Sequence, residues 1–251
     1  MTVLLNQLKE LKLEGILTVV RQMQETGEAG LEAGLPLLNR VITAEAEYRR
    51  EKKSAALAAK ARFRYGSSLS SVMTGIDRNL DKNLLERLSC GRWVKQGQNL
   101  LITGPTGAGK SYLASALGRR ACQLGMTTLY FNCTKFWTQL RQSRSRDRYD
   151  KDIKAIAKAD LLILDDFGLS KLDGPDRLSL LEILEDRWGR ASTVVVSQRP
   201  LATWHEVLGD PTVADAICDR LFSQAEKIEL RGESLRRSPP KLDANLPPAI
   251  P

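Results

Sequence analysis

Residues 99–111 read Asn-Leu-Leu-Ile-Thr-Gly-Pro-Thr-Gly-Ala-Gly-Lys-Ser: an apolar run, a glycine-rich loop, then Lys-Ser opening a helical stretch. This spacing demands a strand that ends where a helix begins, with a loop between them whose backbone N–H groups turn inward. Gly104, Gly107 and Gly109 allow the curl, and Pro105, Thr106 and Ala108 fill the positions between. Lys110 brings a full positive charge to β- and γ-phosphates. Ser111 offers a hydroxyl to Mg²⁺, and Tyr112 follows in the helix. The helix N-terminus adds its own positive field. A glycine-rich turn without function is the alternative, and the strand–loop–helix context argues against it. The expected ligand is a nucleoside triphosphate with Mg²⁺.

At 251 residues the chain fits one large domain, or a small and a medium one. Its formal charge of +8 suits an anionic partner, nucleic acid first, although basicity alone does not select DNA. Cys90, Cys122, Cys133 and Cys218 follow no C-x-x-C spacing, and the chain has 1 histidine, so a zinc site is not expected. Reduced thiols packed inside a cytoplasmic protein are the simpler reading. No apolar stretch reaches the roughly 18 residues of a membrane span. The amphipathic, acid-bearing N-terminus does not read as a signal peptide.

Leu4, Leu8, Leu11, Leu13, Ile16, Leu17, Val20 and Met23 recur at helical spacing over residues 2–25, opposite Lys9, Glu10, Lys12, Glu14 and Arg21. After a Gly27–Gly34 loop, a second helical stretch runs from about Leu37 to Tyr65. The expected layout is a helical domain over 1–65, a Ser-rich linker over 66–80, an α/β domain over 81–237 and a disordered Pro-rich tail over 238–251. Strands are expected at 99–103, 127–132, 160–165, 193–197 and 227–230, with helices such as 110–124 and 176–190 between them. Unbroken apolar strands alternating with helices predict a parallel sheet covered on both faces.

The strand Leu161–Leu164 ends in Asp165 and Asp166, at the sheet edge where open α/β folds bind ligands. Asp165 is expected on the Mg²⁺ side, and Asp166 as the general base that prepares water for attack on the γ-phosphate. The next strand ends at Ser197-Gln198-Arg199-Pro200. Gln198 is expected to read the γ-phosphate, because its amide both donates and accepts.

The ordered set GPTGAGKS, LLILDD, VVVSQRP, the Asp210-Pro211-Thr212 and Ile217-Cys218-Asp219-Arg220-Leu221 segment, and Gly232-Glu233-Ser234-Leu235-Arg236-Arg237 resembles the IstB family. These are AAA+ ATPases that help insertion-sequence transposases, similar to DnaC-type helicase loaders. The resemblance spans nearly the whole chain; W-H-E-x-x-G-D-P-T and G-E-S-L-R-R are its specific parts. It implies a P-loop AAA+ core behind a small all-α N-terminal domain. It also implies Arg220 as an arginine finger reaching a neighbouring subunit's ATP, and Arg236 as a phosphate-touching sensor. Asp166 stands where most relatives carry Glu, and Gln198 where many carry Asn. About 30 residues follow Arg220, too few for a full helical lid, so ATP is expected to be closed in by a neighbouring subunit of a homo-oligomer.

Two basic clusters are candidate DNA contacts. Arg49, Arg50, Lys52, Lys53, Lys60, Arg62 and Arg64 interleave with Phe63 and Tyr65, and Arg141, Arg144, Arg146 and Arg148 follow the second strand. A solvated charged helix face explains either one equally well. Trp93, Trp137, Trp188 and Trp204 are expected to pack rather than stack on bases. The N-terminal leucine stripe either packs internally or docks on a partner. The leading expectation is an Mg²⁺-dependent ATPase that oligomerises on duplex DNA and assists a cognate transposase. A helicase loader, a non-hydrolysing ATP-gated scaffold and a small-molecule kinase stand as alternatives.

Overall fold

The structure is a computed structural model that describes residues 2–26 and 35–235. The Gly27–Gly34 loop, Arg236 and the 238–251 tail therefore lie outside the described residues.

The chain begins with helices α1 (Thr2–Glu10), α2 (Glu14–Thr26) and α3 (Leu35–Ala61). The first stretch, expected as one helix, is broken at Lys12, whose φ of 56° interrupts the helical backbone. The break leaves Leu11 66% exposed, and Leu8, Leu17, Val19 and Met23 are the buried positions. Val19 replaces Val20 as a core residue because the helix restarts at Glu14. Glu45 of α3 fixes the restart: its carboxylate accepts from the Gly15 N–H at 2.9 Å and the Ile16 N–H at 3.4 Å. A buried carboxylate there satisfies otherwise unpaired amides at the start of α2.

Residues 66–80 are packed rather than loose. A 3-10 turn at Leu69–Ser71 sets Leu69 and Val72 against the core, and a turn closed by Gly75 and Leu80 buries Leu80 and Arg78. The core then runs α4 (Lys82–Ser89), α5 (Arg92–Lys95), β1 (Asn99–Thr103), α6 (Lys110–Gln123), β2 (Thr128–Asn132), α7 (Cys133–Arg144) and α8 (Tyr149–Ala157). It continues through β3 (Leu161–Phe167), α9 (Gly174–Arg187), β4 (Ser192–Ser197), α10 (Trp204–Leu208), α11 (Pro211–Phe222) and β5 (Ala225–Glu229). The five strands form one parallel sheet in the order β2-β3-β4-β1-β5.

Successive strand residues serve opposite faces. Leu101, Leu162, Leu164 and Val195 pack with Phe136, Leu180, Trp204 and Leu221 on one side. Leu100, Ile102, Ile163, Val194 and Val196 pack with Leu113, Leu117 and Trp93 on the other. Each fully buried aliphatic side chain contributes about 1.5–3 kcal/mol relative to exposure. Trp93, Trp137 and Trp204 are buried as expected, whereas Trp188 is 46% exposed because it falls just past the end of α9. The Asp210-Pro211 step has a local reason: the Asp210 carboxylate accepts from the Val213 N–H at 3.0 Å and Pro211 opens α11.

Candidate functional site

β4 lies between β1 and β3, so three strand ends converge on one edge: the glycine-rich loop from β1, Gln198 from β4, and Asp165-Asp166 on β3. Gly104 has φ 139° and Gly107 φ 86°, and a Cβ at either would collide, with the Leu230 carbonyl oxygen at Gly104 and the Ser234 hydroxyl at Gly107. Glycine is required there because the 230–235 segment lies directly on the loop. The Leu235 N–H donates to the Gly107 carbonyl at 3.1 Å.

Lys110 is buried and its Nζ donates to the Pro105 carbonyl at 2.8 Å. Ala108 is buried; Thr106 donates to Gln198 Oε1 at 2.5 Å, which brings the expected γ-phosphate reader onto the loop itself. Ser111 Oγ donates to Asp165 Oδ1 at 2.9 Å. Asp165 is wholly buried and also takes a very short hydrogen bond from the Tyr130 hydroxyl. Burial, then the Asp165 carboxylate, push the Tyr130 phenol well above its ordinary pKa, so it acts as a fixed donor. Asp166 has φ 59°, a conformation reserved mostly for glycine and asparagine, and accepts from Asn132 Nδ2 at 2.7 Å. A cavity of about 340 Å³ opens between Lys110, Ser111, Tyr112, Asp166 and Gln198.

Three of these features were not anticipated from sequence. Tyr130 and Asn132 are two apart on β2 and the register sets Asn132 beside Asp165, so a polar residue ending the neighbouring strand was the available signal. Arg78 donates through Nη2 to the Ala108 carbonyl, which ties residues 66–80 to the loop. Arg64, expected at DNA, places Nη1 2.9 Å from Asp166 Oδ2 and 3.5 Å from Asp165 Oδ2.

The remaining expected contacts are spread over the surface. Arg49 bonds Glu45 at 2.7 Å, while Arg50, Lys52, Lys53 and Lys60 are exposed along α3. Arg62 follows that helix with φ 57°. Arg141 reaches Asp176 at 2.6 Å and Asp173 at 3.1 Å; Arg144 donates to Ser179 at 2.7 Å and covers the Tyr149 ring. Arg148 is 3.8 Å from Asp152, and Arg146 is exposed at the turn. Arg220 sits at the opposite edge of the sheet. Its carbonyl accepts from Asn99 at the start of β1, and its Nη2 is 2.8 Å from Glu185. Five strand residues of about 3.3 Å each separate that edge from the loop.

Serine, aspartate and a short glycine-rich loop provide hard oxygen donors, backbone amides and the buried Lys110 cation, a set that fits Mg²⁺ and phosphate. Residues 6–242 match the family model described as IstB-like ATP binding protein. The chain belongs to the IstB-like ATP-binding family. Its similarity to IstB-like relatives runs almost end to end. Insertion sequence ATP-binding protein y4pL of Sinorhizobium fredii is 39% identical over 234 residues, 93% of this chain and 96% of that one. The ATP-binding protein of insertion sequence IS1162 from Pseudomonas fluorescens is 36% identical over 203 residues, 79% of this chain and 87% of that one. Among solved structures, the DnaC helicase loader superposes with a TM-score of 0.55 at 16% identity, over 68% of this chain and 100% of that one. That likeness establishes a DnaC-like AAA+ fold for this IstB-like chain.

Proposed function

We propose that this ATP-binding protein is an Mg²⁺-dependent ATPase that assembles on duplex DNA in its ATP state and assists a transposase, working in the bacterial cytoplasm. The observation that carries the reading is the division of the catalytic parts between two edges of one sheet. The phosphate loop, Asp165 and Asp166 stand at one edge, and Arg220 stands at the other, beside Asn99. Arg220 is too far from the loop of its own chain to serve it, so its place suits the ATP of an adjoining copy.

In this reading backbone N–H groups of the glycine-rich loop, Lys110 and Arg236 hold the phosphates, and Ser111 and Asp165 hold the metal. When bound, Mg²⁺ neutralises charge on the phosphates. Asp166 takes the proton of the attacking water, steered by Asn132. Gln198 carries the state of the γ-phosphate to the loop through Thr106, and Arg220 stabilises the charge of the transferred group from outside. A finger supplied in trans is worth roughly three to five orders of magnitude in rate. The insertion-sequence context of the relatives supports a transposase as partner, and the basic face of α3 together with Arg146 supports contact with DNA phosphate.

Two defective variants test the division. Arg220→Ala and Asp166→Asn each bind ATP and turn it over poorly. Mixed, they regain part of the turnover, because an intact Asp166 site then faces an intact Arg220. Absence of recovery at every mixing ratio refutes action across subunits.

A further inference from the structure

Beside the carboxylate pair lies a second cavity of about 550 Å³, whose lining includes no residue of the phosphate loop. Arg62, Arg64 and Lys135 give it positive charge, Asn132 and Gln139 add amides, and Phe131 forms part of its wall. No carboxylate residue lines it among the described residues. Lys135 belongs to the first turn of α7, so the helix N-terminus adds to the same field. Arg64 and Asp166 line the phosphate cavity together, and Arg64 and Asn132 line the second. Asp166 is thus held by two donors, both of which face the second cavity as well.

The segment that carries Arg64 is pinned at its rings. Phe63 meets Tyr130 edge-on at 6.1 Å, and Tyr65 meets Tyr112 at 6.0 Å. The Arg64 side chain itself is 39% exposed. The rings hold the backbone in place, while the guanidinium stays partly exposed and open to a competing anion on its solvent side. With Arg64 on Asp166, the carboxylate is bridged to a cation and is a poor base for water.

We propose that the second cavity is a phosphodiester-binding site that shares Arg64 with the catalytic carboxylates, so that a DNA phosphate seated there draws Arg64 off Asp166 and frees it. The inference rests on the DNA-dependent ATPase reading above and names how that site is regulated. Planar guanidinium forks suit phosphate oxygens in the same way as carboxylates, which makes the exchange chemically even-handed. By reciprocity, a change at Asp166 that weakens its bond to an intact Arg64 strengthens DNA binding.

The experiment measures duplex oligonucleotide affinity by fluorescence anisotropy with the full chain in the presence of Mg²⁺ and a slowly hydrolysed ATP analogue. Asp166→Asn is expected to tighten duplex binding about three- to tenfold, and that gain is expected to vanish in an Arg64→Gln background. Lys135→Gln and Arg62→Gln weaken the duplex several-fold and raise the duplex concentration that half-stimulates ATP turnover, whereas Lys135→Arg restores both. A gain from Asp166→Asn that persists without Arg64 reflects general charge repulsion and overturns the sharing. Unchanged duplex affinity in Lys135→Gln and Arg62→Gln, in a wild type that does bind DNA, overturns the cavity assignment alone. A wild type that binds no duplex at low salt overturns the functional reading beneath it.

Discussion

Ser111 Oγ and Asp165 Oδ1 stand 2.9 Å apart although 54 residues separate them in the chain. One opens α6 and the other sits near the end of β3, so the contact exists only because β4 brings β1 and β3 within one strand of each other. In the function proposed above, this hydroxyl and this buried carboxylate are the two oxygen ligands offered to Mg²⁺.

Lys110 is expected to carry much of the affinity for triphosphate. It is buried against the loop, and a hydrogen bond to a charged group is worth about 1.5–3 kcal/mol. Lys110→Ala should weaken ATP binding roughly ten- to a hundredfold by that measure, read by calorimetry. Wild-type affinity in this variant would contradict the loop assignment.

Tyr130 holds Asp165 from the side opposite Ser111. Tyr130→Phe keeps the ring against Phe63 and removes only the donor. Loss of such an outer contact costs about 10–100-fold in metal affinity. The Mg²⁺ concentration that half-saturates turnover should rise by about tenfold, at the low end of that range. No change would show that Asp165 is oriented without the phenol.

Glu45 links the helices of the N-terminal region, and its stability contribution depends on pH. Burial alone would raise its carboxyl pKa, but Arg49 and the Ile16 and Gly15 amides together hold it below the ordinary value. A depressed folded value means that its stabilisation is present above the unfolded pKa of about 4.3 and is lost as pH falls through the folded one. Glu45→Ala should cost about 1 kcal/mol at neutral pH, as expected for a lost helix cap. In thermal melts the gap between wild type and variant should close as the pH drops below that of ordinary carboxylates. A gap independent of pH would mean that Glu45 acts through packing and not through its charge.

The arginines after β2 should separate in a salt titration of DNA binding. Each phosphate contact contributes about −0.9 to the slope of log affinity against log salt. Arg146→Gln should reduce the slope by about one contact, while Arg141→Gln should leave the slope alone and lower stability, because Asp176 and Asp173 already hold Arg141. An overall slope near zero would remove phosphate contacts from the account.

Much of the fold was legible in the sequence, because strand and helix periodicities are local and the sheet's apolar runs are unbroken. Each expected strand is present within a few residues; the last shifts from 227–230 to Ala225–Glu229, since exposed Glu226 and Lys227 on an edge strand hide its apolar pattern. The break at Lys12 was not legible, because it depends on Glu45 reaching across from α3. The placement of Asp165 and Asp166 beside the glycine-rich loop was readable from their position near a strand end. Tyr130, Asn132 and Arg64 were not, because their roles depend on strand register and on where the segment after α3 docks. A cation written in a basic run looks the same whether it meets solvent, DNA or a buried acid.

The central claim, that ATP is shared between adjoining copies, is measured most directly by particle mass in solution. Light scattering should show a large assembly when the protein is given duplex DNA and a slowly hydrolysed ATP analogue together, and its loss when either component is withheld. A particle of one chain's mass, 27.9 kDa, with both present in excess would contradict it.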